Sequence, residues 1–471
     1  MLVVGLGVSG AAVARHLLSE GFDVMAADDG GGLDAESTAA TLGIELVLAP
    51  DVEAWSAMCA AVDEVVVSPG VPAGHRLFSI GSAVPIIGEV ELAWRRSVGP
   101  MVAVTGTNGK TTVTTLVAEM LEASGIRAMA AGNIGKALID AVDGTFVTTG
   151  VSARHGSESS DGSSIETQLG GREDEPPPYL LVAEVSSFQL ALTEKFHPTV
   201  ATWINFSEDH LDWHPDMEHY RSAKARIWAN AGPGDVVVAN AEDQVVMAAA
   251  AAPRSKGARV ETFGITRGDW SVANGVLTAP GGGPIVPIKD LPRSLPHDQA
   301  NALAASATAV AAGASLAACR SVLENFRGLP HRVELVSEAR GVRWYDDSKA
   351  TTPGAVLAAL RGFDSVVLIA GGRNKGLDLG VLREGGSRLR KVIAIGDAAV
   401  EVESAFQGLV PVSVAASMSN AVAQAADAAE PGDAVLLSPG CASFDWYSSY
   451  SARGDAFARC VHDLLLAEGE L

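Results

Sequence analysis

The sequence predicts an α/β fold in three domains, each with a mainly parallel sheet flanked by helices. The length of 471 residues corresponds to about three domains at roughly 150 residues each. Short apolar runs alternate with helical patterns along the chain, which is typical of βαβ units. The runs expected to form strands are Glu64–Val67, Met101–Val104, Leu180–Ala183, Thr199–Ile204, Asp235–Ala239, Val366–Ala370, Val392–Ile395 and Ala434–Leu437.

Two Gly-Pro-rich breaks, near Gly99-Pro100 and Gly328-Leu-Pro330, divide the chain. They predict domains at residues 1–97, 98–327 and 328–471. Residues 150–178 are rich in Ser, Gly, Glu and Asp and hold too little apolar area to offset the entropy of ordering, so we expect a disordered surface insertion there. We expect an ordinary long loop over Pro280–Pro296.

The net charge of −22 argues against a nucleic-acid or membrane-surface binder, because binding to a polyanion needs a basic field. The four cysteines form no C-x-x-C pair, which disfavours a disulfide scaffold or a structural zinc site. The opening residues already have the character of a strand, so we expect no secretory signal, and the sequence holds no long apolar stretch. We therefore expect a cytoplasmic monomer that is not inserted into a membrane and binds small molecules.

A glycine-rich turn after the run Met101–Val104 is the strongest local signal, because a helix with one apolar face follows it. Backbone N–H groups of such a turn can hold phosphate oxygens, a lysine adds charge, and a threonine hydroxyl can ligate Mg²⁺. The spacing is tighter than in the common P-loop, where Val104 would be Gly. We predict a P-loop ATPase-like central domain that binds ATP through Gly106, Thr107, Asn108, Gly109, Lys110, Thr111 and Thr112. A coincidental turn is the alternative.

Another glycine-rich turn, Gly5-Leu-Gly-Val-Ser-Gly10, lies between a strand and a helix, with Asp28 and Asp29 about 20 residues later. It predicts a Rossmann-like N-terminal domain, and alone it would fit an NAD site. A strand followed by Ser-Pro-Gly occurs in both Glu64–Gly70 and Ala434–Gly440, which favours a second Rossmann-like domain at the C-terminus. Chance similarity is the alternative.

Three further features carry candidate chemistry. Glu184 ends an apolar run, where a carboxylate can hold Mg²⁺ near the phosphate loop. Lys224 lies within the apolar stripe of its helix, so it must be paired, neutralised or extended to solvent. His210, Asp212 and His214 alternate, but zinc is disfavoured because no fourth ligand has suitable spacing.

The segment Gly106-Thr-Asn-Gly-Lys-Thr111 resembles the ATP loop of the Mur ligases and the related folylpolyglutamate synthetases, ATP-dependent enzymes that join an amino acid to a carboxylate. The resemblance covers nearly the whole chain except 150–178. Gly328-Leu-Pro-His-Arg332, Asp346-Asp-Ser-Lys-Ala-Thr351 and Ser438–Asp445 are most similar to the members that add D-glutamate to UDP-N-acetylmuramoyl-L-alanine. The Asp-Asn-Pro-Arg motif of the diaminopimelate-adding relatives is missing.

The resemblance implies ATP as co-substrate, two Mg²⁺ sites and a CO₂-derived carbamate on Lys224. Its implied metal ligands are Thr111, Glu184, His210 and the Lys224 carbamate. Its implied catalytic residues are Lys110, His210, Lys224 and Arg332, and the further nucleotide contacts are Asn301, Arg332, Asp347 and Lys349.

The resemblance also implies two substrate sites. The UDP-linked substrate would contact Gly7, Val8, Ser9, Asp28, Ser68, Gly70, Asn133 and His210. D-glutamate would contact Thr351, Lys375, Ser443, Phe444 and Tyr450. Gly30 stands where some relatives carry a basic residue.

The implied reaction forms an acyl phosphate and then an amide, in cytoplasmic peptidoglycan precursor synthesis, and needs the C-terminal domain to close. Three alternatives remain. A folate ligase lacks a UDP-binding N-terminal domain. An NAD-dependent oxidoreductase would use Gly5–Gly10 and leave the second nucleotide loop unexplained. An inactive binding module is disfavoured because no expected catalytic position is lost.

Overall fold

The computed structural model describes residues 1–30, 33–80, 84–97, 99–145, 179–210 and 213–469. Three mainly parallel sheets follow one another along the chain, which confirms the three-domain α/β fold. The insertion predicted at 150–178 lies outside the described residues. The predicted domain boundaries after residues 97 and 327 lie between the last helix packed on one sheet and the first strand of the next. They stay predictions.

The first sheet has five parallel strands in the order β3-β2-β1-β4-β5. Its strands are β1 (Leu2–Val4), β2 (Met25–Asp28), β3 (Glu45–Leu48), β4 (Val65–Val67) and β5 (Ile86–Gly88), and its helices are α1 (Val8–Ser19), α2 (Leu33–Leu42), α3 (Val52–Ala60) and α4 (Glu89–Arg96). The order turns back beside β1, so the loops after β1 and β4 meet at a topological switch point, where open parallel sheets bind ligands.

The second sheet has six parallel strands in the order β11-β10-β9-β6-β8-β7. They are β6 (Met101–Thr105), β7 (Ala128–Gly132), β8 (Leu180–Glu184), β9 (Val200–Trp203), β10 (Val236–Asn240) and β11 (Arg259–Phe263). The helices are α5 (Lys110–Ala123), α6 (Leu138–Thr145), α7 (Ser187–Ala191), α8 (Met217–Ala225), α9 (Gln244–Ala249), α10 (Ala251–Ser255), α11 (Pro296–Ala311) and α12 (Leu316–Asn325).

A small antiparallel sheet follows, formed by β12 (Ser271–Ala273), β13 (Val276–Ala279) and β14 (Gly283–Pro287). The expectation of a loop over Pro280–Pro296 is therefore wrong for β14. Ile285 and Val286 are buried there, and pairing with β13 outweighs the poor strand propensity of the flanking glycines and prolines.

The third sheet has the order β15-β16-β20-β17-β18-β19, with only its edge strand β15 antiparallel. Its strands are β15 (Glu334–Ala339), β16 (Val342–Asp346), β17 (Val366–Gly371), β18 (Leu389–Ile395), β19 (Val412–Val414) and β20 (Ala434–Leu437). Its helices are α13 (Pro353–Leu360), α14 (Ala399–Phe406), α15 (Met418–Ala428) and α16 (Tyr450–Ala467).

The carboxyl ends of parallel strands meet at one edge of a sheet, and this places the site. In the second sheet β6 pairs with both β8 and β9, so the turn after Thr105 lies beside Glu184 and the segment after Trp203. In the third sheet β20 lies between β16 and β17, which gathers the loops after those strands. Within the described residues, no helix has the length and apolar character needed to cross a membrane.

Candidate active site

Seven of the predicted nucleotide residues line a cavity of about 660 Å³ between the central and C-terminal sheets. Its walls include Asn108, Gly109, Thr112, Asn301, Arg332, Asp347 and Lys349. Gly106, Thr107, Lys110 and Thr111 belong to the same turn but are not wall residues. Segments of the central and C-terminal parts of the chain thus supply one cavity, which is large enough for a nucleotide.

The backbone of the phosphate loop requires glycine at its last position. Gly109 has φ +82°, in the left-handed region, and directly precedes α5. A Cβ at Gly109 would lie 2.5 Å from Oδ1 of Asn301. No side chain caps α5, so its first backbone N–H groups are available to an anion such as a phosphate.

Asn205, which sequence reasoning missed, holds the loop in shape. Its Oδ1 accepts from the backbone N–H of Asn108 at 2.9 Å, and its Nδ2 donates to the Asn108 carbonyl at 3.1 Å. The Asn205 carbonyl accepts from the backbone N–H of Thr107 at 3.1 Å. Asn205 directly follows a buried apolar run, and this was the only sequence signal for it.

Two lysines converge on the start of the loop. Lys110 Nζ donates to the carbonyls of Gly106 and Thr107, at 2.9 Å each. Lys224 Nζ donates to the Gly106 carbonyl at 2.7 Å, and the whole residue is 1% exposed. Lys224 is therefore buried and does not extend to solvent.

Burial lowers the pKa of both lysines, because desolvation disfavours the charged form. The pKa of Lys224 lies well below its ordinary value, and the neighbouring Lys110 lowers it further. Asp209 and Glu184 act in the opposite direction on both lysines. Lys224 is thus the more readily neutralised of the two.

Glu184 has an unused oxygen at the end of β8. It is 2% exposed, and its Oε1 accepts from Nδ2 of Asn133 at 2.8 Å. Its Oε2 is buried and accepts no hydrogen bond from any described residue. An orphaned buried carboxylate oxygen is costly without a partner, and a divalent cation is a suitable one. Asn133 contacts this carboxylate. It does not line the cavity at the first sheet, where six other residues predicted to contact the UDP-linked substrate lie.

A cavity of about 210 Å³ gathers every residue predicted to contact D-glutamate. Its walls are Thr351, Lys375, Ser443, Phe444 and Tyr450, together with Thr352, Leu377, Ala442, Asp209 and His210. His210 has φ +56°, a conformation rarely adopted by a non-glycine residue, and its backbone N–H donates to Asp209 Oδ1 at 2.8 Å. Such local strain is typical of functional positions. The structure thus places His210 with the D-glutamate residues.

Two contacts link the phosphate loop and the two cavities. Arg332 Nη2 donates to Thr111 Oγ1 at 2.7 Å, which joins the C-terminal part of the chain to the loop. Lys349, a wall residue of the larger cavity, has its Nζ 3.8 Å from the centre of the Tyr450 ring, which lines the smaller one. The two cavities are therefore neighbours.

Asp347 lies deep in the larger cavity. Burial raises its pKa to about 7, although hydrogen bonds from the Ser438 hydroxyl and the Val333 backbone N–H and the charge of Arg332 oppose that rise. Near neutral pH this carboxyl can therefore be protonated or ionised, depending on what cation or ligand lies beside it.

Arg453, also missed from the sequence, connects the nucleotide segment to the amino-acid segment. It is 1% exposed and donates to the side chain and carbonyl of Ser348 and to the carbonyls of Cys441 and Ala442. No carboxylate hydrogen-bonds to it in the described part of the chain. A single arginine inside a mostly amphipathic helix carries no sequence signal for this position.

A third cavity, of about 570 Å³, lies at the carboxyl edge of the first sheet. It is lined by Gly7, Val8, Ser9, Asp28, Ser68 and Gly70, as predicted for the UDP-linked substrate, whereas Asn133 and His210 lie elsewhere. Gly7 precedes α1, and no side chain of the described residues caps that helix, so its first backbone N–H groups can hold a pyrophosphate.

Comparisons with known proteins cover all three parts of the chain. Residues 1–88 match the family model "Mur ligase MurD-like, N-terminal domain", residues 104–309 match "Mur ligase middle domain", and residues 331–441 match "Mur ligase, glutamate ligase domain". A UDP-N-acetylmuramoylalanine–D-glutamate ligase of Frankia casuarinae is 42% identical over 98% of this chain and 93% of its own. One of Desulfosudis oleivorans is 39% identical over 98% and 96%.

Solved structures share the fold at low sequence identity. A pseudomurein peptide ligase type C of Methanothermus fervidus gives a TM-score of 0.59 at 17% identity, over 98% of this chain and 99% of that one. A UDP-N-acetylmuramate-alanine ligase of Thermotoga maritima gives 0.56 at 19% identity, over 99% of both chains. At this identity the likeness concerns the fold alone.

Proposed function

The chain belongs to the Mur ligase family, and on that premise we propose that it joins D-glutamate to UDP-N-acetylmuramoylalanine with the conversion of ATP to ADP and phosphate. Relatives of that name are 42% and 39% identical over 98% of the chain. Family membership also removes the reason to consider an oxidoreductase. One structural observation carries the proposal: the contact of Lys349 with Tyr450 makes the nucleotide cavity and the amino-acid cavity neighbours.

The reaction we propose has two steps. A terminal carboxylate oxygen of the UDP-linked substrate attacks the γ-phosphorus of ATP, so that an acyl phosphate forms and ADP leaves. The amine of D-glutamate then attacks the acyl carbon, loses a proton, and expels phosphate to leave an amide. Lys110 and Arg332, placed at the loop, offset the negative charge on the transferring phosphoryl group.

We propose that two Mg²⁺ ions bind beside the phosphate loop. We propose Thr111, Glu184 and His210 as ligands, with the carbamate of Lys224 completing the set. The buried Oε2 of Glu184, with no hydrogen-bond donor among the described residues, supports this. Bound Mg²⁺ would neutralise charge on the phosphate oxygens.

Lys224 suits carbamate formation because that reaction needs an uncharged amine. The nitrogen of the amine forms a bond to the carbon of CO₂ and releases a proton, and the product is an anion. The lowered pKa of Lys224 favours the free amine. The positive charge of Lys110, whose Nζ donates to the same carbonyl as Lys224 Nζ, would stabilise the anion.

Each substrate is assigned to the cavity that its predicted contact residues line. We propose that the UDP group occupies the cavity at Gly7 and Ser68, and that Lys375 and Ser443 hold the carboxylates of D-glutamate. Such a reaction belongs to cytoplasmic peptidoglycan precursor synthesis, and hence to cell-wall formation, cell shape and cell division. We also propose that the protein acts as a monomer.

A coupled phosphate-release assay tests the function. Purified protein should release phosphate only when ATP, Mg²⁺, UDP-N-acetylmuramoyl-L-alanine and D-glutamate are all present. A panel of D- and L-amino acids in place of D-glutamate tests specificity, with L-glutamate as the matched control. Phosphate release that is equal for both enantiomers, or no release with all substrates present, contradicts the proposal.

A further inference from the structure

An arginine and an aspartate in the central part of the chain form an ion pair beside the segment that carries Arg332. Arg293 precedes α11 and Asp298 lies in the first turn of that helix, and both line the nucleotide cavity. Arg293 Nη2 and Nε donate to Asp298 Oδ1 at 3.1 and 3.2 Å. The two side chains are 16% and 12% exposed, so solvent and salt screen the pair only weakly.

The remaining nitrogen of the Arg293 guanidinium connects this pair to the C-terminal part of the chain. Its Nη1 donates to the Arg332 carbonyl at 2.7 Å and to the Val333 carbonyl at 3.0 Å. The intervening backbone passes close to the same atom, because a Cβ at Gly328 would lie 2.7 Å from Arg293 Nη1. The Arg293–Asp298 pair therefore bridges the predicted domain boundary after residue 327.

The backbone that Arg293 contacts is strained. His331 has φ +60° and Val333 has φ +46°, in the left-handed region that β-branched residues above all rarely adopt. Such a conformation persists only where surrounding contacts fix it. Glu334 Oε2 accepts from the His331 backbone N–H at 2.8 Å, and Asp347 Oδ1 accepts from the Val333 backbone N–H at 3.2 Å. Arg293 complements these two carboxylates, because it binds the carbonyls of the segment and they bind its N–H groups.

The two strained residues flank Arg332, whose guanidinium reaches the phosphate loop. Arg332 Nη2 donates to Thr111 Oγ1 at 2.7 Å. Burial lowers the pKa of Arg332, and the positive charge of Arg293 acts in the same direction. The carboxylate of Asp298 offsets the charge of Arg293. The pair can therefore hold the backbone of Arg332 without placing an unbalanced cation beside its guanidinium.

We propose that Arg293, itself held by Asp298, is a positioning residue that aims the Arg332 guanidinium at the transferring phosphoryl group. This rests on the proposed function, in which Arg332 offsets the charge of that group. Arg293 acts on the backbone of Arg332 and does not contact the nucleotide. Misplacing a charged group by about 1 Å can lower turnover about 100-fold, whereas the binding of ADP, which lacks the γ-phosphate, does not depend on this contact.

A double-mutant cycle in the full chain tests the inference. We expect Arg293→Met to lower kcat on the order of 10- to 100-fold and to leave the Kd of ADP unchanged. Arg332→Met should lower kcat at least as much. In the Arg332→Met background, Arg293→Met should lower kcat further by no more than about twofold, because its effect passes through the guanidinium already lost. Arg293→Lys, which keeps a donor for the carbonyls, should recover most of kcat.

Arg320→Met is the matched control, since Arg320 pairs with Glu324 on α12 and does not line the cavity. It should leave kcat and the Kd of ADP unchanged. If the effects of Arg293→Met and Arg332→Met on kcat multiply, Arg293 acts independently of Arg332 and the inference is wrong. Weaker binding of ADP by Arg293→Met would show a direct contact with the nucleotide and overturns it as well.

Asp298→Asn provides a milder second variant, because it keeps an oxygen for Arg293 and loses only the charge. We expect kcat to fall by a smaller factor than in Arg293→Met, and to change by no more than about twofold in the Arg332→Met background. An equal loss in both backgrounds contradicts the positioning role. Circular dichroism checks that the variants fold.

The failure of this inference and the failure of the proposed function have different signatures. If the wild-type protein releases phosphate with all substrates present and Arg293→Met keeps its kcat, this inference alone fails. If the wild-type protein releases no phosphate under those conditions, the proposed function is refuted.

Discussion

Lys110 and Lys224 donate to the same acceptor: their Nζ atoms lie 2.9 and 2.7 Å from the carbonyl oxygen of Gly106. Two ammonium groups on one carbonyl in a partly buried site repel each other, and the pKa of Lys224 falls well below its ordinary value. This relationship favours the uncharged amine of Lys224, the form that the proposed carbamate requires.

Replacing Lys224 should abolish the dependence of the reaction on CO₂. Lys224→Arg keeps a cation but cannot form a carbamate, and we expect it to lower kcat about 100-fold or more, as does Lys224→Ala. Wild-type protein should lose activity in CO₂-depleted buffer and recover it with bicarbonate, while neither variant responds. Phosphate release measures this, and near wild-type turnover of Lys224→Arg would exclude the carbamate.

Removing the charge of Glu184 should weaken the binding of Mg²⁺ at the site. Glu184→Gln keeps an oxygen for Asn133 but loses the anionic Oε2, so we expect the Mg²⁺ concentration for half-maximal activity to rise about 10- to 100-fold. Glu119→Gln, an exposed change on α5, is the control and should leave it unchanged. An unaltered Mg²⁺ dependence of Glu184→Gln contradicts the assignment.

The stability of the nucleotide-free protein should carry a pH dependence from Asp347. Its pKa is about 7 in the folded protein against 3.8 ordinarily, so the folded state binds more protons than the unfolded state between these values. This contribution to stability is complete below about pH 4 and is lost as pH rises through 7, by up to about 4 kcal/mol. Urea unfolding of wild-type and Asp347→Asn protein from pH 4 to 8 measures it.

The variant removes this titrating group, so the free energy of unfolding of Asp347→Asn relative to wild type should rise between pH 4 and 7 and then level off. A difference between the two proteins that stays constant over this range would show that Asp347 has an ordinary pKa.

Loss of the buried guanidinium of Arg453 should destabilise the C-terminal domain and impair amino-acid binding. Arg453→Met leaves the carbonyls of Ser348 and Cys441 without their donor, whereas the Ala442 carbonyl keeps the backbone N–H of Arg373, and we expect a loss of about 3 kcal/mol in the free energy of unfolding. At a temperature where the variant is folded, the KM for D-glutamate should rise.

Arg459 is exposed on the same helix, and Arg459→Met is the control. It should change the free energy of unfolding by less than about 0.5 kcal/mol. Chemical denaturation and steady-state kinetics check both variants. Equal stability of the two variants would show that Arg453 does not hold the segments together.

The larger features of the fold followed from local patterns. Each of the eight predicted strand runs overlaps a strand, and the apolar face predicted for the helix after the phosphate loop is buried at Val113, Leu116, Val117, Met120 and Leu121. Lys224 was found because a charged residue interrupts an apolar stripe, and the structure confirms that it is buried. Each of these features depends on side-chain periodicity, which a single segment contains.

Interactions between distant segments could not be read in this way. Asn205 lies 97 residues from the Asn108 that it holds, and His75 lies 46 residues from Asp29. No regular spacing in the sequence relates Asn205 to Asn108 or His75 to Asp29, so neither contact could be predicted. The strand β14 was missed for a related reason, since its pairing with β13 overrides the local preference of glycine and proline for loops.

From the sequence alone came the α/β class, the three-domain order, the position of the phosphate loop and the family to which the chain belongs, because periodicity and short motifs are local properties of the chain. Only the tertiary structure decided that Lys110 and Lys224 share one carbonyl, that His210 lies with the amino-acid residues, and that His75 contacts Asp29. These depend on which strand ends the sheets bring together, and sheet order is set by packing between segments far apart in sequence.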